Sequence, residues 1–279
     1  LVYTGVPSST GGTSVPANVG GQVTKGYTVV LNYALLKKEH LLWQVNATLR
    51  HLTSEYRNVS AYLSRFNDEN KTKNMLRYYD GGSPSDLWAV RSAGIDAATG
   101  REIFLHKDGT QSFAYNVEDE VVVGNSDPKL EGVVGMSFYY KGFSCSFYWR
   151  YSFGADAFNR TVYSKVENIS KESLKQNQDK RALYDRWKEP GNGAKYKGIS
   201  LTENTPISSR FVQKNNYLTL ESVRVAYEFS PEWMQKIHFS GMTVSAYMND
   251  ICRFSTIEDE RGIDYPFARS FSFALSINS

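Results

Sequence analysis

The stretch "GFSCSFYWRYSFG", Gly142 to Gly154, sorts its side chains into two sets when every second residue is read. Phe143, Cys145, Phe147, Trp149, Tyr151 and Phe153 form one set, and Ser144, Ser146, Tyr148, Arg150 and Ser152 the other. A strand points successive side chains to opposite faces, so the segment reads as a strand with one aromatic face and one small, polar or charged face. A soluble sandwich strand alternates in the same way, with its apolar face packed on a second sheet. A transmembrane barrel strand alternates with its apolar face on lipid and its polar face on a wet lumen. How often the pattern recurs, and over what length, separates the two.

It recurs along the chain. Tyr27, Val29, Leu31, Tyr33 and Leu35 alternate with Thr28, Val30, Asn32 and Ala34, and Leu41, Trp43, Val45, Ala47 and Leu49 with Leu42, Gln44, Asn46, Thr48 and Arg50. Val223, Val225, Tyr227 and Phe229 oppose Ser222, Arg224, Ala226 and Glu228; Met242, Val244, Ala246 and Met248 oppose Thr243, Ser245, Tyr247 and Asn249. Phe271, Phe273, Leu275 and Ile277 close the series. With the less regular candidates Leu87–Ile95, Arg101–His106 and Val133–Tyr140, the sequence predicts about nine strands. Several reach the roughly 9–11 residues that a tilted strand needs to cross a bilayer. Short connections ("LKKEH", "DAATG", "YKG", "SPEWMQKIHFSG") separate long polar ones, His51–Asp86, Lys107–Lys129, Gly154–Asn216 and Asp250–Pro266. Short turns at one rim and long loops at the other are the layout of an outer-membrane barrel, the long loops being extracellular. Two of those loops are expected to carry helix. "SKESLKQNQDKRALYDRW" is rich in helix formers, and Val59, Leu63 and Phe66 form a helical stripe.

No stretch of about 18 apolar residues exists, which excludes a transmembrane helix, and mean hydropathy is −0.45. Barrel strands hide their hydrophobicity in alternation, so neither observation bears on a barrel. A net charge of +3 with no dominant basic run does not suggest a nucleic-acid partner. Cys145 reads as a small apolar residue of the aromatic row, and a bridge to Cys252 stays open. The four histidines have no metal-ligand spacing, and His106 in "FLHKDGT" reads as a turn residue. The acidic clusters at 67–70, 118–120 and 258–260 lack the oxygen spacing of a calcium loop and read as solvated charge. "GADAF" and "GNGAKYKG" read as glycine turns, not phosphate cradles. No catalytic residue, metal or cofactor is expected.

Six words occur in order along the chain. They are "NVGGQVTKGYTVVLNY", "LWAVRSAGIDAATGREIFLHKDGT", "GNSDPKLEGVVGMSFYYKGFS", "RALYDRWKEPGNGAKYKGIS", "SSRFVQKNNYLTLESVRVAYEF" and "YPFARSFSFALSIN". Together the chain resembles, from Asn18 to Asn278, the C-terminal part of the SusC/RagA-like family of TonB-dependent outer-membrane transporters of Bacteroidetes. The resemblance implies a barrel of about 22 strands closed by an N-terminal plug. It also implies TonB-energised import of oligosaccharides or peptides, and a SusD-like surface lipoprotein as a lid. The plug, the TonB box and the first half of the barrel have no counterpart here, and Ser279 stands where an aromatic residue commonly closes the last strand. Residues 1–279 are therefore expected to be a partial barrel, a fragment of a longer protein.

On this reading Tyr148, Arg150, Arg224 and Tyr247 face the lumen and line a substrate path. Arg150 and Arg224 are tolerable mid-strand on that side only, since Arg facing lipid at the midplane costs about 2–4 kcal/mol. Trp149, Tyr151 and Phe153 belong to an aromatic girdle. Tyr184, Arg186 and Trp187 in "RALYDRW" are candidates for a sugar or for the lid, with packing inside the loop as the plainer account. Two other readings stand beside this one: a soluble β-sandwich that binds glycans through its loops, and a secreted enzyme on such a sandwich that needs a carboxylate pair.

Overall fold

A computed structural model describes residues 2–5, 9, 11–12, 14–17, 20–59, 61–69, 77–200, 203–236, 238–257 and 269–278. The acidic cluster at 258–260 and most of the predicted loop at 250–266 lie outside the described residues. Two short strands, β1 (Val2–Gly5) and β2 (Ser14–Ala17), pair as a hairpin. The alternating segments form β3 (Gly21–Lys38), β4 (Leu41–Arg57), β9 (Leu130–Tyr140), β10 (Phe143–Phe158), β11 (Val212–Glu228), β12 (Gly241–Ser255) and β13 (Phe271–Asn278). These seven make one antiparallel sheet in the order β13-β12-β11-β10-β9-β4-β3, each strand beside its predecessor in that set. It is an up-and-down meander, and its end strands β3 and β13 are not joined to each other.

Two of the predicted barrel strands belong elsewhere. Leu87–Ile95 and Arg101–His106 fall in β5 (Asp86–Ile95) and β6 (Glu102–Leu105), which pair with β7 (Gln111–Ser112) and β8 (Glu120–Asn125) in a separate sheet, β7-β6-β5-β8. "DAATG" is thus the turn of a small hairpin inserted between β4 and β9, not a barrel-rim turn. Partners and not length place β5, which has 10 residues against 8 in β13; β6 has only 4, whereas β4 and β11 have 17. At about 3.3 Å per residue a strand of that length extends about 56 Å, more than the ~30 Å hydrocarbon core needs even at a 45° tilt. The predicted strand lengths were too short because the polar ends of these strands do not alternate cleanly.

The chain divides into two compact units. One holds most of the meander (Tyr27–His51, Pro128–Ala155, Lys214–Ser279); the other holds Leu1–Gly26, Leu52–Asp127 and Asp156–Gln213, with the polar ends of β3, β4, β10 and β11. In the meander, register keeps like with like. Phe147 opposes Met136, which opposes Val45; Cys145 opposes Phe138, which opposes Trp43. Val244 opposes Leu275 and Ala246 opposes Phe273. This apolar face is open, with Phe273 80% and Phe271 68% exposed, which runs against a sandwich in which these rows pack on each other. Cys145 and Cys252 are free thiols.

The second unit has its own core. Val162, Val166, Ile169, Ala182, Tyr196 and Phe211 are buried together, so the long 154–216 connection is a packed substructure. Helix α1 (Ala61–Glu69) forms where the Leu63/Phe66 stripe predicts it, and buries Leu63. The helix expected at 170–187 shrinks to a 3-10 turn at Ser173–Lys175 and α2 (Arg181–Tyr184). An unexpected π-helical stretch at Val162–Glu167 carries the core residues Val162 and Val166 instead. "GADAF" is not a turn: Gly154, at φ +84°, sits within β10, which runs on to Phe158. In the meander's last short connection, α3 (Pro231–Gln235) buries Met234 fully.

Candidate functional site

The polar face of the meander gathers the residues that the alternation assigned to it. Tyr148 opposes Gly135, which in turn opposes Asn46. A Cβ at Gly135 would collide with both the Tyr148 ring and the Asn46 amide, so the glycine is what lets the ring lie across β9. Arg224 directly opposes Tyr247, and Tyr247 opposes Ser272. Arg150 opposes Val133, beside Thr48, and makes a two-pronged ion pair with Glu221, whose second contact is 3.1 Å. Arg50 pairs with Glu131 at 3.5 Å one step along the same face.

Glu221 was not legible in the alternation, for a geometrical reason. Leu220 opposes Cys252 but Ser222 opposes Asn249, so two steps of β11 match three of β12. The extra residue is a β-bulge at Asp250, whose φ of +49° is left-handed. Across this stretch the apolar row of β11 passes from odd residues, Val223 opposite Met248 and Val225 opposite Ala246, to even ones. Beyond it Leu218 opposes Phe254, and Phe254 stacks on Trp149 of the apolar face at 6.5 Å. The Glu221 carboxylate instead reaches Arg150, and the Arg253 guanidinium lies 4.5 Å from the centre of the Tyr217 ring. Tyr217, Glu221 and Arg253 therefore join Arg150 in a charged, aromatic belt. Tyr151 shows how an aromatic of the other row satisfies its polar tip: its hydroxyl donates to the Thr48 carbonyl at 2.8 Å.

In the second unit the three "RALYDRW" candidates part company. Tyr184 is 74% exposed. Arg186 is buried and donates from Nε to the Ala182 carbonyl and from Nη1 to the Lys197 carbonyl, both at 2.9 Å, contacts that pack it inside the loop. Burial also pushes its pKa down. Trp187 donates from Nε1 to the Ala97 carbonyl at 2.9 Å and lines a cavity of about 390 Å³.

The acidic cluster at 118–120 is not the solvated charge expected of it. Asp119 accepts from His106 Nδ1 at 2.6 Å and from the Lys107 backbone at 3.1 Å, and these bonds hold its carboxyl below the usual range. Glu120 pairs with the buried Arg77 at 3.2 Å, and burial pushes its pKa up against that pairing. His106 does sit in a turn, where its carbonyl accepts from the Gly109 N–H. Deeper still, Arg210 bridges Glu102 and Glu167 at 2.9 Å each. Among the described residues no group of three His, Cys, Asp or Glu could hold a metal ion.

No family model matches the chain. It is 19% identical over 304 residues to the TonB-dependent receptor P39 of Formosa agariphila, covering 91% of this chain and 28% of that protein. Among solved structures it superposes on the RagAB peptide transporter with a TM-score of 0.75 at 17% identity, over 98% of this chain and 31% of that one. The RagAB peptide importer in an open-open state gives 0.75 at 16% identity, over 100% and 31%, and in a closed-closed state 0.73 at 17%, over 98% and 31%. The chain thus spans less than a third of the length of the proteins it matches. The likeness shows the fold, and it agrees with the resemblance read from the six sequence words.

Proposed function

We propose that this chain, a stretch of outer-membrane barrel of the TonB-dependent receptor type, serves as wall and outer loops of a nutrient importer. The whole protein would take up oligosaccharides or peptides, driven by TonB and lidded by a SusD-like surface lipoprotein. The observation that carries this reading is the two-faced meander: long strands with an exposed apolar face and a face of paired charges and tyrosines. Lipid covers the first without cost, and a wet lumen is the only setting in which the second is cheap. Tyr148, Arg150, Arg224 and Tyr247 then line the path, with Tyr217, Glu221 and Arg253 beside them. The lid meets the loop unit, where Leu183, Tyr184 and Ile199 are exposed.

The test is uptake by cells lacking the full-length gene, supplied with a peptide digest or an oligosaccharide mixture as sole source. Loss of growth on one of them, matched by loss of TonB, is the expected result. Uptake that is unchanged by deletion, or that persists without TonB, overturns the reading. Co-purification of a surface lipoprotein, lost on Tyr184→Asp, tests the lid.

A further inference from the structure

The apolar row of the meander has two ends, and a stacked aromatic pair stands at each. On β12 the row runs from Met242, opposite Ile277, to Phe254, opposite Leu218. At about 3.3 Å per residue and a tilt of about 45°, the chain between them climbs about 28 Å, close to the ~30 Å hydrocarbon core and the ~25 Å apolar band of outer-membrane barrels. At the Phe254 end the partner in the stack is Trp149. At the Met242 end the Met242 carbonyl accepts from the Phe229 N–H at 3.0 Å, and Trp233 stacks on Phe229 with ring centres 5.4 Å apart and planes 24° apart. Tyr227 meets Phe229 edge to face at 5.0 Å, so the row passes from β11 onto α3 without a break.

Helix α3 is fixed in place. Pro231 opens it, Met234 is fully buried, and the Phe239 N–H donates to the Met234 carbonyl at 3.1 Å. The Ser240 N–H then donates to the Asn278 carbonyl at 2.8 Å. Trp233, next to Met234, is nevertheless 50% exposed. Its helix lies between β11 and β12, each of which already has a strand on both sides, so no further strand is needed to complete this wall. A half-exposed indole, apolar in its body and polar at its N–H, suits the boundary between hydrocarbon and headgroups.

Cations accompany the rings at this rim. Lys236 follows Trp233 by three positions, on the same side of the helical turn. Lys141 Nζ lies 5.5 Å from the centre of the Tyr140 ring, and Lys37 follows Leu35 on the outward row of β3. These lysines are exposed, and among the described residues none of the three is in an ion pair. The acids described at this rim are Glu39 in the β3–β4 turn, Glu228 on the opposite row, and Glu232 in the first turn of α3, where the helix dipole favours a carboxylate.

We infer that α3 is an interfacial anchor for phospholipid. It holds Trp233 and Phe229 at the glycerol level of the leaflet on the short-turn side, with Lys236, Lys141 and Lys37 against the lipid phosphates. The rings set the depth, and the lysines reach past the apolar edge to the negative headgroups. The inference rests on the barrel reading for the presence of a bilayer, and adds where on this wall the bilayer ends and which helix meets it.

The test is tryptophan emission of the full-length protein in nanodiscs of phosphatidylethanolamine and phosphatidylglycerol, brominated near either the headgroup end or the methyl end of the acyl chains. Subtracting the emission of Trp233→Phe isolates Trp233, and the new ring keeps the stack on Phe229. Bromine at the headgroup end is expected to remove about half of that difference, and bromine at the methyl end clearly less, as for a ring held at the acyl boundary. Lys236→Glu sets a carboxylate against the phosphates and should lower the shallow quenching. Phe273→Trp lies on the same outward row, about 9 Å nearer the bilayer centre than Ile277, and should be quenched more by the methyl-end label. Trp233 emission that is untouched by both labels, quenched more by the deep one, or indifferent to Lys236→Glu overturns the inference. If Phe273→Trp is quenched by neither label, the lipid-facing assignment behind the proposed function is what fails. Should that variant not fold, Leu275→Trp, exposed on the same row, takes its place.

Discussion

Replacing Arg210 by Met is the most demanding test of the loop unit's architecture. Arg210 Nη2 donates to Glu102 and to Glu167 at 2.9 Å, and Nη1 to Glu167 at 3.2 Å and to the Lys195 carbonyl at 2.8 Å. The side chains of Glu102 and Glu167 are 4% and 0% exposed, and Ser208 and Thr205 donate to them at 2.5 and 3.0 Å. Burial by itself lowers the guanidinium's pKa, but its bonds to Glu167 and Glu102 outweigh that and raise it, so the native cation is never lost. Met keeps the length and the contact with Phe211 but leaves two carboxylates buried without a cation. Breaking a buried pair in this way costs about 3–5 kcal/mol. At 1.4 kcal/mol per tenfold, opening of the unit becomes about a hundred- to a few-thousand-fold more frequent. Hydrogen exchange of the Val162–Glu167 and Ser208–Val212 amides in the detergent-solubilised full protein reads this directly. A variant whose exchange relative to native protein is unchanged refutes this account.

Phe273→Arg, on the exposed apolar row, should cost about 2–4 kcal/mol of barrel stability if it lies near the midplane, while Ser272→Arg on the opposite row should cost far less; heat-modifiable gel mobility of the full protein compares them. Gly100→Ala should unseat Trp187, because the residue must be left-handed and leave room for the indole, at about 1–3 kcal/mol; a red-shifted tryptophan emission checks it, and an unchanged spectrum refutes it. Asp119 has its pKa held below the ordinary range, so its contribution is present above the unfolded pKa and lost as pH falls through the folded one. His106→Ala should therefore move acid unfolding of the loop unit to higher pH, followed by hydrogen exchange. Asp250→Gly should keep the bulge, since glycine accepts φ +49° readily, whereas Asp250→Val should disrupt it; heat-modifiable mobility of the full protein distinguishes them.

The alternation in the sequence determined a great deal by itself. It fixed seven strands, which residues share a face, and the assignment of Tyr148, Arg150, Arg224 and Tyr247 to the polar face, because period-2 patterning follows from backbone geometry alone. It also located the Leu63/Phe66 helix, a local 3.6-residue stripe. Pairing partners are not local, and there the sequence was silent or misleading. Leu87–Ile95 alternates as a barrel strand would, yet its neighbours β6 and β8 remove it to a second sheet. Glu221 meets Arg150 where the alternation of β11 breaks, an irregularity that a period-2 reading runs straight through. Nothing in the spacing of "RALYDRW" says that Arg186 is buried against the carbonyls of Ala182 and Lys197 while Tyr184 stays exposed. Gly100, Arg101, Trp187 and Glu203 line one cavity although over a hundred positions separate the first from the last, an encounter no spacing rule encodes. A strand's face is set by its own chain; its neighbours, and so the site, are set by where the rest of the chain returns.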